Sequence, residues 1–167
     1  MAIYVLLNGI VVMLESLEGI LLNYGYPGLF IASFLASTIL PFGSEGIVVL
    51  LVSQKFNVFA VVLVATVGNF FGACTSYYIG LKGRGLVEKY LRIVPEDIEK
   101  VERYFSKYGS FVLLFTWVPI IGDVITVTGG LLRLKFWIFS VFVFAGKFLR
   151  YLAVAYLAGA ILLQVNI

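Results

Sequence analysis

The 167-residue chain contains no histidine. That absence removes histidine metal sites, Ser-His triads and imidazole general bases together. One cysteine is present, Cys74, set inside an apolar run, so no intramolecular disulfide can form and no thiolate cluster can hold a metal. Charge is scarce: Asp, Glu, Lys and Arg make up 13% of the residues, against about 25% in an ordinary soluble domain. A phosphate-binding glycine loop is also missing, because Gly83-Arg84-Gly85 has neither the loop lysine nor a preceding strand. The seven basic residues of 82–107 are balanced by five acids, which gives nucleic-acid binding no support. No nucleophile–base pair can be assembled, so the reading is a non-enzyme without cofactor or metal.

What the chain has in abundance is apolar surface. Hydrophobic residues make up 62% of it, and its mean hydropathy is +1.06. Water offers no place for such a surface, whereas lipid does. The expectation is therefore an all-α integral membrane protein, a single membrane domain over 1–167, crossing the cell (cytoplasmic or inner) membrane several times. Residues 1–27 read as an extra N-terminal helix, either spanning or interfacial. No Lys or Arg precedes its apolar run, so it lacks the basic start of a secretory signal and is expected to be retained. Glu15 and Glu18 read as its end at the headgroups.

Four further apolar segments follow. Leu29–Ser53 is interrupted by Pro41-Phe42-Gly43-Ser44-Glu45, and Phe111–Leu132 by Pro119-Ile120-Ile121-Gly122-Asp123. Val58–Leu81 is uncharged and long enough to span. Phe136–Leu163 is also long enough, but it carries Lys147 and Arg150 inside it. Between them, 82–107 forms a polar cytoplasmic connector, whose Pro95–Tyr108 part starts like a helix, with Pro95 in the first turn and Glu96 and Asp97 just after it.

The two interrupted segments belong to an internal repeat, 28–81 and 108–163. A shift of 78 residues lays Pro41 on Pro119, Glu45 on Asp123 and Gly68 on Gly146. Shifts of 79 and 80 lay Gly80 on Gly159 and Lys55-Phe56 on Lys135-Phe136. Interrupted segments in matching positions of two halves are a transporter signature. If each is a re-entrant hairpin, the connector, Arg133 and Lys135 share one side and only Lys55 faces the other, which satisfies the positive-inside rule. A hairpin plus one span crosses the membrane once. The second copy then enters from the opposite face, and an inverted repeat results, with tips at Pro41, Gly43 and Ser44 and at Pro119 and Gly122 meeting near mid-membrane.

Glu45 and Asp123 are the first candidates for a substrate or ion pathway, because an ionised acid at bilayer depth is costly without a partner or water. The structural reading of the same residues is a carboxylate capping the second half-helix of each hairpin. Lys147 and Arg150, at i and i+3 on one helix face, are the natural counter-charges, and Tyr151 stands beside them. If the tips meet, Glu45 and Asp123 approach one another, and either one keeps a proton or Lys147 and Arg150 neutralise both. Asn69 occupies the place of Lys147 in the repeat and reads as a hydrogen-bond donor to a hairpin tip or a bridge between helices. Gly68, Gly72 and Gly80 form a small-residue stripe for tight packing. Tyr77 and Tyr78 read as interfacial anchors.

Ser33-Phe34-Leu35-Ala36-Ser37, Leu40-Pro41, Ser44-Glu45, Ala65-Thr66 and Gly68-Asn69 together resemble the first half of the DedA/VTT family of membrane proteins, in particular its YqaA-like branch. Trp117-Val118-Pro119, Gly122-Asp123, Gly129-Gly130, Leu132-Arg133, Gly146-Lys147 and Arg150-Tyr151 resemble the second half. The resemblance covers about residues 28–155. It implies two facing re-entrant hairpins and a role in moving lipids between leaflets, including polyprenyl-phosphate carriers and phospholipids. The main DedA pattern has arginines around the second hairpin's proline, where this chain has Trp117 and Gly122-Asp123, so Lys147 and Arg150 would supply the positive charge.

The functional expectation is flipping or scrambling of lipids with anionic headgroups. Membrane lipids are the expected partners, protons the candidate coupling ion, and a homo-oligomer is compatible with the sequence. The alternatives are a proton-coupled carrier of a small solute and a membrane-integrity or assembly factor that transports nothing.

Overall fold

The computed structural model describes residues 24–38, 44–83, 85, 95–118 and 121–165. The N-terminal helix expected before residue 24 and the tip residues Pro41, Gly43 and Pro119 lie outside the described residues. Among the described residues the fold is entirely helical. Helix α1 covers 24–36. It is followed by α2 (Ser44–Ser53), α3 (Val58–Leu81), α4 (Pro95–Tyr108), a 3-10 segment (Gly109–Trp117), α5 (Ile121–Leu131) and α6 (Phe136–Val165).

Length separates these helices into two kinds. At 1.5 Å per residue, the 24 residues of α3 extend about 36 Å and cross a hydrocarbon core of about 30 Å. Two helices among the described residues, Val58–Leu81 and Phe136–Ile161, are long and apolar enough to do so. By contrast α2, with 10 residues, and α5, with 11, reach about 15 Å and 17 Å, roughly half of that core. Asn57 caps α3, its side chain accepting the Ala60 N–H at 3.0 Å. The interruption in the second half also changes the helix type, since its first arm is 3-10 where continuous α-helix would suit a span.

The turns leading from α2 to α3 and from α5 to α6 are copies of one another. After α2, the N–H groups of Gln54, Lys55 and Phe56 donate to the carbonyls of Leu50, Val52 and Leu51. After α5, those of Leu132, Arg133 and Leu134 donate to Thr128, Gly130 and Gly129. Both are Schellman closures, and each puts a non-glycine residue in the left-handed region, Lys55 at φ 63° and Arg133 at φ 51°. These pairs all stand at the 78-residue offset. The sequence match of Lys55-Phe56 with Lys135-Phe136 is thereby corrected: Lys55 corresponds to Arg133. Gly80 and Gly159 do not correspond either, because Gly80 packs against the Val127 carbonyl and Gly130, whereas the Cβ position of Gly159 meets nothing within 4 Å.

The Tyr26 ring, near the start of α1, stands edge-on to Phe56 after α2, with centroids 5.4 Å apart. In the second half Leu113, in the middle of the 3-10 segment, and Leu134, after α5, both lie against Gly129. Packing between the halves is reciprocal: α3 lies against α5, and α6 lies against α2. The glycines make this approach possible. A Cβ on Gly68 would stand 2.5 Å from the Phe30 carbonyl oxygen, and one on Gly72 2.6 Å from that of Phe34. Gly146 does the same service for the 3-10 segment, where the Leu114 carbonyl oxygen lies 2.6 Å from its Cβ position.

Two apolar clusters result. Leu29, Val48, Leu51, Val62, Tyr151 and Ala155 belong to the one at the α2–α3 turn. Cys74, Tyr77, Phe105, Leu113, Val124 and Phe139 belong to the one at the α5–α6 turn. Tyr77 is buried there, and its hydroxyl donates to the Leu134 carbonyl, so it fastens the α5–α6 turn instead of anchoring at an interface. Large side chains that face outward, among them Phe59, Phe71, Phe111, Trp137, Leu149 and Tyr156, give the fold an apolar exterior.

Candidate functional site

Between the two clusters lies a band of polar side chains at mid-height of the long helices. Asn69 stands near the centre of the 24-residue α3. Its amide nitrogen donates to the Ser33 carbonyl of α1 at 3.2 Å. Gly68 and Gly72 let α1 come this close, since any side chain there would strike its backbone. Asn69 Oδ1 accepts a hydrogen bond from Lys147 Nζ, which also reaches Ser37 Oγ at 3.4 Å. Lys147 is only 4% exposed, so this ammonium lives on neutral oxygens. An unpaired buried charge is costly, and the two acceptors offset part of that cost.

One turn further along α6, Arg150 forms an ion pair with Glu45 at the start of α2. The neighbouring residues reinforce the contact, with Ser44 Oγ and the Tyr151 hydroxyl 2.7 Å apart. Glu45 lies in the first turn of α2, where the helix dipole favours a negative charge. Lys147, Arg150 and Tyr151 share a face at i, i+3 and i+4. Six of the sequence-chosen residues thus come together: Glu45, Ser44, Asn69, Lys147, Arg150 and Tyr151.

Asp123 takes no part in this arrangement. It is half-buried in the first turn of α5 and makes no ion pair among the described residues, although Lys147 acts on it at longer range. The expectation that Lys147 and Arg150 neutralise Glu45 and Asp123 alike therefore gives way to one closed pair, Glu45 with Arg150. The repeat explains why. Shifted back by 78 residues, Arg150 falls on Gly72 and Tyr151 on Ala73, so the first half has no cation at the matching place to offer Asp123. Gly122, the counterpart of Ser44, packs onto the Thr116 backbone instead of donating a hydroxyl.

Ser37 is a member of the site for which the sequence reading proposed no role. Its signal was available: Ser33 and Ser37 lie at i and i+4 in an apolar segment, opposite a glycine stripe. Among the described residues, no three of His, Cys, Asp or Glu come together.

The ion pair opens sideways. A cleft of about 620 Å³ runs between α6 and the 3-10 segment, lined by Glu45 and Arg150 and by Phe115, Trp117, Leu149 and Leu157 among others. The Arg150 and Glu45 side chains keep 20% and 29% of their surface exposed.

Comparison with known proteins agrees with this picture of a membrane protein. The VTT domain pattern matches residues 40–159. An uncharacterised protein of Haemophilus influenzae is 38% identical over 149 residues, 81% of this chain and 88% of its own length. Inner membrane protein YqaA of Escherichia coli is 35% identical over 128 residues, 76% of this chain and 86% of its own length. An uncharacterised Methanocaldococcus jannaschii protein, MJ0201, is 29% identical over 139 residues, 82% of this chain and 86% of its own length. No solved structure matches.

Proposed function

This membrane protein belongs to the VTT domain family, and we propose that it is a multi-pass transporter of the cytoplasmic or inner membrane that translocates lipids with anionic headgroups between leaflets. The observation that carries the reading is the Glu45–Arg150 pair, held midway along the bundle and open to a lipid-side cleft. A permanent ion pair at this depth is expensive and contributes little net stability. Its use is functional: an anionic headgroup competes with Glu45 for the guanidinium, which presents five donors in a planar fork suited to phosphate.

The topology we propose is an inverted repeat of two re-entrant hairpins, α1–α2 and the 3-10 segment–α5, each followed by a span. Half-length second arms support it, as does the contact of Tyr26 with Phe56, which brings together the two ends of the first pair. Irregular backbone between the arms is then shielded by protein, as lipid requires. Single cysteines at positions 54, 83 and 134 test this in sealed vesicles. The hairpin topology has 83 and 134 labelled from one side and 54 from the other; labelling of 83 and 134 from opposite sides removes it.

Transport is tested in liposomes by leaflet-selective quenching of fluorescent phosphatidic acid, phosphatidylglycerol and phosphatidylcholine. Exchange above protein-free background, faster for the anionic lipids, is the expected result. Background rates for all of them would end the lipid reading. Proton-coupled uptake of a small solute then becomes the reading that the polar centre favours.

A further inference from the structure

Lipid exchange at the Glu45–Arg150 pair leaves Lys147 without a task, although Lys147 is the one buried charge among the described residues. Three features around its ammonium belong to a small-cation site. The first is the ligand set. Asn69 Oδ1 and Ser37 Oγ both hold Nζ, and both are neutral oxygens of the kind that hard cations take. Ser33 Oγ, on the same face of α1 as Ser37, is buried and has no hydrogen-bond partner among the described residues. The second feature is the end of α1. Its last helical residue is 36, so Nζ meets Ser37 at the C-terminal end of the arm, where the helix dipole favours a cation. Half-helix C-terminal ends hold the coupling Na⁺ of inverted-repeat transporters. Gly72 opens the space, since a Cβ there would stand 2.6 Å from that of Ser37. The third feature is charge. Glu45 and Arg150 neutralise one another, while Asp123, without an ion pair among the described residues, feels Lys147 at longer range. One positive charge between Asn69 and Ser37 therefore balances the centre, where a low dielectric makes imbalance costly.

We infer that Ser33, Ser37 and Asn69 form a monovalent-cation site of the Na⁺ class, and that the chain fills it with a cation of its own, the Lys147 ammonium. An ammonium is a compact point charge with three donors, which a nest of separate oxygens suits better than a planar guanidinium. With no carboxylate among its ligands, the nest takes one unit of charge and not two. Because the cation is tethered, the centre keeps its charge in any salt, and the protein needs neither Na⁺ nor K⁺. The site stands whether or not lipids are what the protein moves.

The test is thermal unfolding of the full-length protein in a nonionic detergent, in the chlorides of Na⁺, K⁺, choline and n-propylammonium at one ionic strength. Wild type should unfold at the same Tm in every salt. Lys147→Ala should lose stability in choline chloride. It should regain most of it, saturably, in at least one of Na⁺, K⁺ and n-propylammonium. Lys147→Met, which refills the space with an apolar chain, should lose stability and regain none. A loss in Lys147→Ala that is equal in every salt overturns the cation site. A saturable Na⁺ rise in wild type overturns the claim that Lys147 fills it. Should Lys147→Ala be too unstable to purify, Asn69→Asp combined with Lys147→Ala places a carboxylate in the nest. Folded double variant extracted in NaCl and not in choline chloride supports the site; equal recovery in the two salts, nil included, overturns it.

Discussion

Asn69 and Lys147 hydrogen-bond to one another and stand 78 residues apart, the same separation that relates Glu45 to Asp123 and Lys55 to Arg133. Counterparts in two copies of a repeat touch only where the axis relating the copies passes. On the inverted repeat proposed above, their contact puts that axis through the polar centre of the bundle, with an amide contributed by one half and an ammonium by the other.

Exchanging the two residues is the corresponding prediction. Asn69→Lys alone sets two ammonium groups together in the buried centre and lowers the Tm in detergent more than any other single change at the site. Adding Lys147→Asn restores one amide facing one ammonium, and most of the loss is recovered. Losses that simply add would mean that the two positions do not share an axis.

The Glu45–Arg150 pair predicts a second non-additive set. Removing one partner of a fully buried pair costs about 3–5 kcal/mol, and the residual exposure of 20% and 29% places this pair nearer about 2–3 kcal/mol. Arg150→Gln should show that loss, and Glu45→Gln with Arg150→Gln should be little worse than either alone. Arg150→Gln combined with Asp123→Asn should be additive within about 0.5 kcal/mol. Strong coupling to Asp123 in thermal-unfolding cycles would restore the four-charge cluster expected from sequence.

Glycine substitutions divide by sign. Gly68→Ala drives a Cβ towards the Phe30 carbonyl oxygen, 2.5 Å away, and should cost about 1–3 kcal/mol. Gly159→Ala meets nothing within 4 Å and lies in α6, so the helix should gain about 0.5–1 kcal/mol. Equal effects on urea or thermal unfolding would contradict the packing described.

The duplicated turns make a parallel pair. Lys55 and Arg133 each adopt a left-handed backbone that costs an L-residue about 1–2 kcal/mol, a cost glycine avoids. Lys55→Gly and Arg133→Gly should each raise the Tm, and by similar amounts. A loss at either position would show that its side chain, not its backbone, holds the turn.

Much of this was legible in the sequence because lipid enforces simple rules. An uncharged run of span length bounded by polar residues marks Val58–Leu81, and Pro95 followed by Glu96 and Asp97 marks the start of α4. The offset of 78 was legible from Pro41 and Pro119 and from Glu45 and Asp123. The pairing of charges was not. Which acid Arg150 meets depends on how the halves cross, and the lack of an ion pair at Asp123 among the described residues follows from Gly72 and Ala73, which look like packing residues alone. Residue type also misled at the turns, where Lys55-Phe56 matches Lys135-Phe136 by letter and Arg133-Leu134 by backbone. Tyr77 resembled an interfacial anchor because nothing local announces that Leu134 will offer it a carbonyl.

Lipid exchange with Arg150 intact and replaced tests the account most directly. Wild type, Arg150→Gln and the control Gly159→Ala are reconstituted at equal density, and the quenching rate of a fluorescent phosphatidic acid is followed. The account predicts exchange well above empty liposomes for wild type and the control, and a fall of about tenfold or more for Arg150→Gln, the loss of one charge-assisted phosphate contact. Exchange by correctly folded Arg150→Gln at the wild-type rate would contradict it.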